Sequence, residues 1–172
     1  MHHKKMLVVM AAILLGTLAT SQAKVSSATQ AFEKLKTLAG DWETREEQGR
    51  RAILHFDLTG KGAELHERYT EYEGDKVAHD MITMYYLDGD QIKLTHYCEA
   101  GNQPTMVGEY SPEKGLLTFR FLSATNLSSL DAGHMYHVVY RFIDDNHIET
   151  TWTFRKNQKD AFVETTSFTR KR

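Results

Sequence analysis

The sequence contains a single cysteine, Cys98, among its 172 residues. One cysteine cannot form a disulfide within the chain, which excludes the disulfide-stapled folds common among small secreted domains. In an oxidising compartment an exposed thiol would be oxidised or would link two chains. We therefore expect Cys98 to be buried.

The sequence also lacks an excess of basic residues. Its 21 lysine and arginine residues are outnumbered by 23 aspartate and glutamate residues, which gives a formal net charge of -2 at pH 7. A mildly acidic chain argues against nucleic acid or an anionic membrane surface as the main partner. We predict no nucleic-acid partner.

Long hydrophobic runs are missing as well. The apolar run at residues 6–19 is shorter than the roughly 18 residues that a membrane-spanning helix needs. It follows a basic start and leads into Ser21-Gln22-Ala23, an order typical of a secretory signal peptide. We predict a signal peptide at residues 1–23, export to the periplasm or the extracellular space, and no stable membrane insertion after cleavage.

The remaining residues, 24–172, have the length of one domain. Residues 26–40 have capping-box spacing at Ser27 and Gln30 and one apolar face, which predicts a short amphipathic helix. After Gly40 the sequence alternates between apolar and polar residues, with turn formers between the segments. The segments predict strands at roughly 41–48, 51–58, 63–72, 79–87, 91–98, 103–110, 116–122, 134–143, 147–155 and 161–170.

This strand pattern predicts an all-β fold, a single up-and-down antiparallel β-barrel of about ten strands with a short N-terminal helix. Because barrel diameter grows with strand number, such a barrel has room for a ligand. The long connection at residues 123–133 is a candidate lid or portal loop. The charge-rich segment 64–75 is expected to form a solvated outer face and a hairpin.

The segment THYCEAGNQP, residues 95–104, combines the cysteine with a histidine two residues earlier. A turn at Asp88-Gly89 places it opposite the preceding strand, and a turn at Gly89-Asp90 shifts the partners but keeps the same faces together. The first turn pairs Tyr85 with Ile92, Thr83 with Leu94, Met81 with His96, and His79 with Cys98. In either case His96 and Cys98 share the face of Ile92 and Leu94, which we expect to be interior.

A second hairpin surrounds residues 144–146. A three-residue loop, with Asn146 in the left-handed conformation, keeps charged side chains out of the interior. This loop pairs Phe142 with Ile148, Tyr140 with Thr150, Val138 with Trp152, and Tyr136 with Phe154. It also directs His134 inward near an open end of the barrel.

Two chemical alternatives arise from the first hairpin. His79, Met81, His96 and Cys98 form the ligand set of a copper centre, but their spacing is not that of cupredoxins, and we predict no metal. Catalysis by Cys98 with His96 would need direct contact, although alternate side chains on a strand stand about 6 to 7 Å apart. No nucleophile motif accompanies them, so binding is the predicted role.

The segment Leu38-Ala39-Gly40-Asp41-Trp42 resembles the start of the first strand in calycins, the superfamily of lipocalins and fatty-acid-binding proteins, and the layout is similar to secreted bacterial members. The resemblance implies a β-barrel in which Trp42 packs against a basic side chain of the last strand, Arg170 or, as an alternative, Arg172. Haem-binding nitrobindin-like barrels share ten strands, but their Gly-rich first-strand motif is absent here. We predict no cofactor.

These patterns predict an exported barrel that binds a small hydrophobic molecule. The alternatives are an enzyme of the same fold, using His96 with Cys98 or a carboxylate, and a structural module without ligand.

Glu164 faces the interior opposite Trp152 in one register of the last strand and not in the other. The predicted ligand-binding residues are Met81, Thr83, Tyr85, His96, Cys98, Asn102, His134, Tyr136 and Trp152.

Overall fold

A computed structural model describes residues 26–45 and 48–172. The predicted signal peptide, residues 1–23, lies outside the described residues. One helix precedes the strands, and a single 3-10 turn, Pro112–Lys114, interrupts their succession within the described part. The elements are α1 (Ser27–Lys36), β1 (Gly40–Glu43), β2 (Arg50–Thr59), β3 (Glu64–Glu73), β4 (Lys76–Asp88), β5 (Gln91–Tyr97), β6 (Gln103–Ser111), β7 (Leu116–Thr125), β8 (His134–Asp144), β9 (His147–Lys156) and β10 (Lys159–Arg170).

The ten strands form one closed barrel in which each strand pairs with its neighbours in sequence and β1 pairs with β10. All pairings are antiparallel, so the predicted all-β, up-and-down barrel is confirmed. The bounds differ most at β1, which ends at Glu43, and at β4, which begins at Lys76. β4 begins early because Gly74, at φ +58°, lets a two-residue turn join it directly to β3.

The helix α1 covers one end of the barrel. The apolar face of α1 is buried and contacts β4, β5 and β6. This face consists of Ala28, Ala31, Phe32 and Leu35. Within the described ranges no helix has both the length and the apolar character to cross a membrane. Because α1 lies on this end, we call it the closed end.

The N-terminal cap of α1 is Ser26, one residue before the predicted Ser27. The Ser26 hydroxyl accepts a hydrogen bond from the backbone N–H of Thr29 at 3.1 Å, which satisfies one of the unpaired N–H groups of the first turn. The capping-box prediction was therefore wrong by one residue.

Replacing Ser26 with alanine is expected to lower the free energy of unfolding by about 1 kcal/mol, because the first turn loses its side-chain acceptor. Chemical denaturation measures the change. Ser27→Ala is the matched control, since the Ser27 side chain takes no part in the cap. A larger loss for Ser27→Ala than for Ser26→Ala would contradict the assignment.

The β4–β5 hairpin has its turn at Gly89-Asp90, the second of the two positions considered. Gly89 adopts φ +61°, which suits the first central position of a two-residue hairpin turn. His96 therefore pairs with Thr83, not with Met81 as the other turn predicted. The interior faces are unchanged, since the shift amounts to two residues.

The β8–β9 hairpin keeps three of its four predicted pairs, Phe142 with Ile148, Tyr140 with Thr150, and Val138 with Trp152. Its loop, however, has two residues, because a β-bulge at Ile143 absorbs the third. Asn146 is not left-handed. A second bulge sets Met135 opposite Phe154, so the predicted pair of Tyr136 with Phe154 is wrong.

Trp42 closes the barrel beside α1 and is completely buried. Its indole Nε1 donates a hydrogen bond to the carbonyl of Leu38 at 2.7 Å, and the Arg170 guanidinium lies 4.1 Å from the ring centroid. Arg170 also donates to the backbone carbonyls of Thr37 and Ala39. The expected contact between Trp42 and Arg170 is therefore present.

The charge-rich segment 64–75 does not form a purely solvated face. Glu67 and Glu71 are buried, on the same face of β3 as the fully buried Leu65. Side chains alternate along a strand, so Leu65, Glu67 and Glu71 all point into the barrel whatever their charge. This expectation was wrong because it weighed the composition of the segment and not its periodicity.

Candidate functional site

The barrel interior contains a cavity of about 420 Å³. Its walls come from the strand ends opposite α1: the start of β2, β4, β8 and β10, and the end of β3, β5 and β9. We call this end of the barrel the open end. The larger apolar side chains that line the cavity are Leu54, Met81, Met135, Trp152, Phe154 and Phe162.

Exposure increases from the inner part of the cavity towards its mouth. Glu67 is 2% exposed and His96 is 3% exposed, whereas Phe162 at the rim is 46% exposed. Phe162 stacks on Phe154, with the ring centroids 5.1 Å apart. A molecule entering the barrel would thus pass aromatic rings at the mouth before it reaches polar groups at the floor.

Glu67 is the carboxyl group at the cavity floor. Its Oε2 accepts hydrogen bonds from the hydroxyls of Tyr85 at 2.7 Å and Tyr140 at 2.5 Å, and the two hydroxyls also contact each other. Burial raises the pKa of Glu67 to about 7, against the opposing effect of the hydrogen bonds from Tyr140 and Tyr85. At neutral pH both protonation states of Glu67 are populated.

The three contacts among Glu67, Tyr85 and Tyr140 can accommodate a proton on the carboxyl. When Glu67 is ionised, both hydroxyls donate to it and no hydrogen remains for the contact between the tyrosines. With a proton on Oε2, Glu67 donates to one tyrosine, that tyrosine donates to the other, and the second donates back. Every contact then contains a hydrogen.

His96 lies on the cavity wall and is neutral. Its Nδ1 is hydrogen-bonded to the Thr83 hydroxyl at 2.9 Å, and its ring packs 4.8 Å from Trp152. Burial lowers the pKa of His96 to about 4. Its Nε2 is buried without a hydrogen-bond partner in the described part of the chain, which marks it as a polar group available to a ligand or a water.

Strand register brings Glu67 and His96 into one layer. Glu67 pairs across the strands with Thr83, and Thr83 pairs with His96. Adjacent strands lie about 4.8 Å apart, so the backbones of Glu67 and His96 are separated by only two such spacings. The floor of the cavity therefore carries two polar side chains on one side.

Cys98 lines the cavity nearer the mouth and is half-buried. Its Sγ accepts a hydrogen bond from the backbone N–H of Ala100 at 3.5 Å; His96 bonds to Thr83 instead. Burial raises the pKa of the Cys98 thiol, which keeps it protonated and weakly nucleophilic. The geometry therefore does not join Cys98 and His96 into a nucleophile–base pair.

The residues considered as copper ligands are not gathered into a metal site. His79 is hydrogen-bonded through Nδ1 to the Glu99 carboxylate at 2.7 Å. Within residues 26–45 and 48–172, no group of three or more His, Cys, Asp or Glu side chains is arranged to hold a metal ion. The polar groups near His79 instead form part of the cavity mouth.

The mouth carries three carboxyl groups beside the aromatic rings. Glu71 accepts hydrogen bonds from Arg50 and, at 2.9 Å, from the Tyr69 hydroxyl. Glu164 pairs with Trp152 across β9 and β10 and lines the cavity, which resolves the register question in favour of an inward position. Glu99 completes the set.

Four of the predicted ligand-binding residues line the cavity, namely Met81, His96, Cys98 and Trp152. Thr83 and Tyr85 lie directly behind the wall, where they hold His96 and Glu67. Three further residues, Asn102, His134 and Tyr136, lie outside the wall. The bulge in β8 explains the last two, because it turns Met135 towards the cavity in place of Tyr136.

His134 and Tyr136 belong to an aromatic stack beside the cavity. The His134 ring lies 4.8 Å from Phe121, Tyr136 stacks on Phe121 at 5.6 Å, and Arg155 covers the Tyr136 ring. His134 Nδ1 is also hydrogen-bonded to the backbone carbonyl of Ala132 at 2.7 Å. These contacts fix the start of β8.

Asn102 anchors the connection between β7 and β8 to the open end. Its Nδ2 donates to the carbonyl of Gly133 at 2.8 Å, and Asn126 donates to the carbonyl of Gly101 at 2.5 Å. A Cβ atom at Gly133 would lie 2.5 Å from the Phe154 ring. The connection, expected as a lid or portal, is thus bound at both ends and packs against the cavity wall.

Sequence reasoning missed Glu67, Tyr140, Glu71 and Glu99 as site residues, and it left the direction of Glu164 open. The available signal was the alternation of Leu65, Glu67, Tyr69 and Glu71, in which two apolar residues share a face with two acids. A buried acid is unusual, because an isolated charge in the interior is costly. Such a residue is therefore a candidate for function when it lines a cavity.

No family model matches this chain, and a search of curated proteins finds no match. Among solved structures, the crystal structure of Rv2717c from M. tuberculosis is similar. It superposes with a TM-score of 0.59 at 16% sequence identity, over 83% of this chain and 98% of that chain. The similarity is one of fold. This chain and Rv2717c share a barrel architecture, and a shared fold does not imply a shared chemistry of the site.

Proposed function

We propose that this protein is a calycin-like carrier that binds a small, largely hydrophobic molecule inside the barrel. The observation that carries the proposal is the cavity of about 420 Å³. Ligand pockets typically measure about 300–1,000 Å³ and combine apolar walls with a few polar groups. The apolar lining residues and the polar pair Glu67 and His96 match that composition.

Binding is favoured over catalysis by the state of the candidate nucleophile. A protonated Cys98 without a contacting base lacks the activation that covalent catalysis requires. Export, expected from the sequence, would place the carrier outside the cytoplasm, where it would hold molecules that are poorly soluble in water. Apolar burial provides most of the driving force for such binding.

Native mass spectrometry of protein purified from an exported fraction tests the proposal. We expect a co-purifying organic mass that is absent under denaturing conditions. Purified protein should also bind the neutral dye Nile red, whose emission rises in apolar surroundings. In the Trp42→Phe variant Trp152 is the only tryptophan, so dye binding should change Trp152 fluorescence.

Filling the cavity provides a matched pair of variants. Met81→Trp adds bulk to the cavity wall, whereas Met84→Trp adds the same bulk to the opposite face of β4. We expect Met81→Trp to weaken Nile red binding at least tenfold and Met84→Trp to leave it unchanged. Equal binding by the two variants would show that the dye binds elsewhere and would refute the proposed site.

A further inference from the structure

We propose that the cavity selects apolar molecules that carry a protonated amine, and that Glu67 at the floor binds this amine. The inference rests on the proposed function and adds the class of ligand. It depends on three features of the site: the free oxygen of Glu67, the charges around the cavity, and the unpartnered nitrogen of His96.

The free oxygen of Glu67 is a hydrogen-bond acceptor in both protonation states. All hydrogen bonds of the carboxyl in the described residues involve Oε2, through Tyr85 and Tyr140. A proton on Oε2 is used within this group of three oxygens, so Oε1 stays an acceptor. The cavity floor therefore requires a ligand group that donates, such as an ammonium or a hydroxyl, and not a carboxylate.

The charges around the cavity favour an ammonium over a neutral donor. Glu71, Glu99 and Glu164 line the mouth, where Arg50 is engaged by Glu71 and His79 is hydrogen-bonded to Glu99, so that Glu164 is left without a basic partner among the lining residues. The hydrogen bond from His79 lowers the pKa of Glu99, which keeps this carboxyl ionised. An anionic ligand would meet carboxylates at the rim and again at the floor.

The interior groups facing Glu67 contribute no compensating positive charge. His96 is neutral at pH 7 because burial lowers its pKa. The remaining titratable groups nearby, Tyr69, Tyr85, Tyr140 and Cys98, have pKa values raised by burial and are uncharged at that pH. An ammonium group that enters the cavity would therefore be the counter-ion of ionised Glu67.

His96 provides an independent indication of a polar ligand. It is 3% exposed, lines the cavity, and its Nε2 has no hydrogen-bond partner in the described ranges. When Nδ1 donates to Thr83, Nε2 presents a lone pair. A buried acceptor of this kind, in the same layer as Glu67, suits a group with several N–H donors.

Desolvation of an ammonium is costly unless it is paired and hydrogen-bonded. The site meets both conditions, since ionised Glu67 provides the counter-charge and Tyr85 and Tyr140 stabilise its other oxygen. Amine binding shifts Glu67 to its ionised state, and its proton leaves to solvent. Affinity for an amine should therefore rise with pH as Glu67 ionises.

A series of octyl compounds tests the inference. 1-Octylamine, 1-octanol and octanoate have the same apolar chain and differ in the charge of the head group; each is titrated against protein loaded with Nile red at pH 6 and pH 8. Alkyl ammonium groups stay protonated over this range, as lysine does with a pKa of about 10.4. We expect octylamine to bind at least tenfold more tightly than octanoate at pH 8, with octanol between them.

The pH dependence assigns the effect to Glu67. For a group with a pKa of about 7, the ionised fraction rises about tenfold between pH 6 and pH 8. Octylamine affinity should rise by up to that factor, and Glu67→Gln should abolish the rise. Glu109→Gln, at an exposed position of β6, is the matched control and should behave as the unmodified protein.

The outcomes separate this inference from the proposed function. If Nile red and the octyl compounds all fail to bind, both are wrong. If Nile red or octanol binds but octanoate equals octylamine at pH 8, or if Glu67→Gln retains the pH dependence, the carrier function stands and the selection of amines is refuted.

Discussion

Replacing Glu67 with glutamine is expected to change the free energy of unfolding more favourably at pH 8 than at pH 4. The difference between the two pH values should be on the order of 3 kcal/mol. The pKa of Glu67 is about 7 in the folded protein and near 4.3 in an unfolded chain. A carboxyl whose pKa is raised by folding stabilises the folded state at pH values below its pKa in the unfolded chain. This stabilisation is lost as the pH rises through the folded-state pKa of about 7. Each unit of difference corresponds to about 1.4 kcal/mol.

Urea denaturation at a series of pH values measures this effect. The difference in free energy of unfolding between Glu67→Gln and the unmodified protein should grow between pH 4 and pH 8. The pH-dependent contributions of other titratable groups, including His96, cancel in that difference because both proteins contain these groups. Glu109→Gln provides the control, and curves for Glu67→Gln and the unmodified protein that stay parallel would contradict the raised pKa.

Replacing Trp42 with alanine is expected to lower the free energy of unfolding by about 3–5 kcal/mol, the usual cost of removing a buried aromatic side chain. The substitution leaves a void at the closed end, where Trp42 is completely buried. It also removes the donor to the Leu38 carbonyl and the ring that Arg170 covers. Urea denaturation measures the loss.

Trp152→Ala is the matched control, because it removes the second tryptophan from a cavity wall, where one face of the side chain is not packed against other protein atoms. Its cost should be clearly smaller, since fewer packing contacts are lost. Trp42→Phe should fall between the two, because it keeps an aromatic ring but leaves the Leu38 carbonyl without its donor. Equal losses for the two alanine variants would contradict the assignment of Trp42 as the main support of the closed end.

Much of the fold follows from alternation in the sequence, because a strand buries every second residue whatever the details of pairing. The ten strands and the helix follow from such local patterns, whereas the contact between Trp42 and Arg170 was expected from the resemblance to calycins. Register is different, since it depends on which turn residue adopts a positive φ angle. At the β4–β5 hairpin that residue is Gly89, and both turn positions fit the same pattern of faces.

The candidate site was harder to predict because two features interrupt the alternation. The bulge in β8 exchanges Tyr136 for Met135 on the cavity wall, and no local residue pattern requires an extra residue there. Glu67 was overlooked because its charge suggested an exposed position. Its partner Tyr85 lies on the adjacent strand β4, but Tyr140 lies on β8, 73 residues further along the chain. Only the closed barrel brings these three oxygens together.

The two ends of the barrel differ in how tightly their side chains are packed. At the closed end, α1, Trp42 and Arg170 hold the architecture together, while at the open end Phe154 and Phe162 line the cavity. Substitutions at the rim therefore remove little of the packing that maintains the barrel. The residues of the open end can therefore diverge among descendants of this chain while the barrel architecture is inherited unchanged.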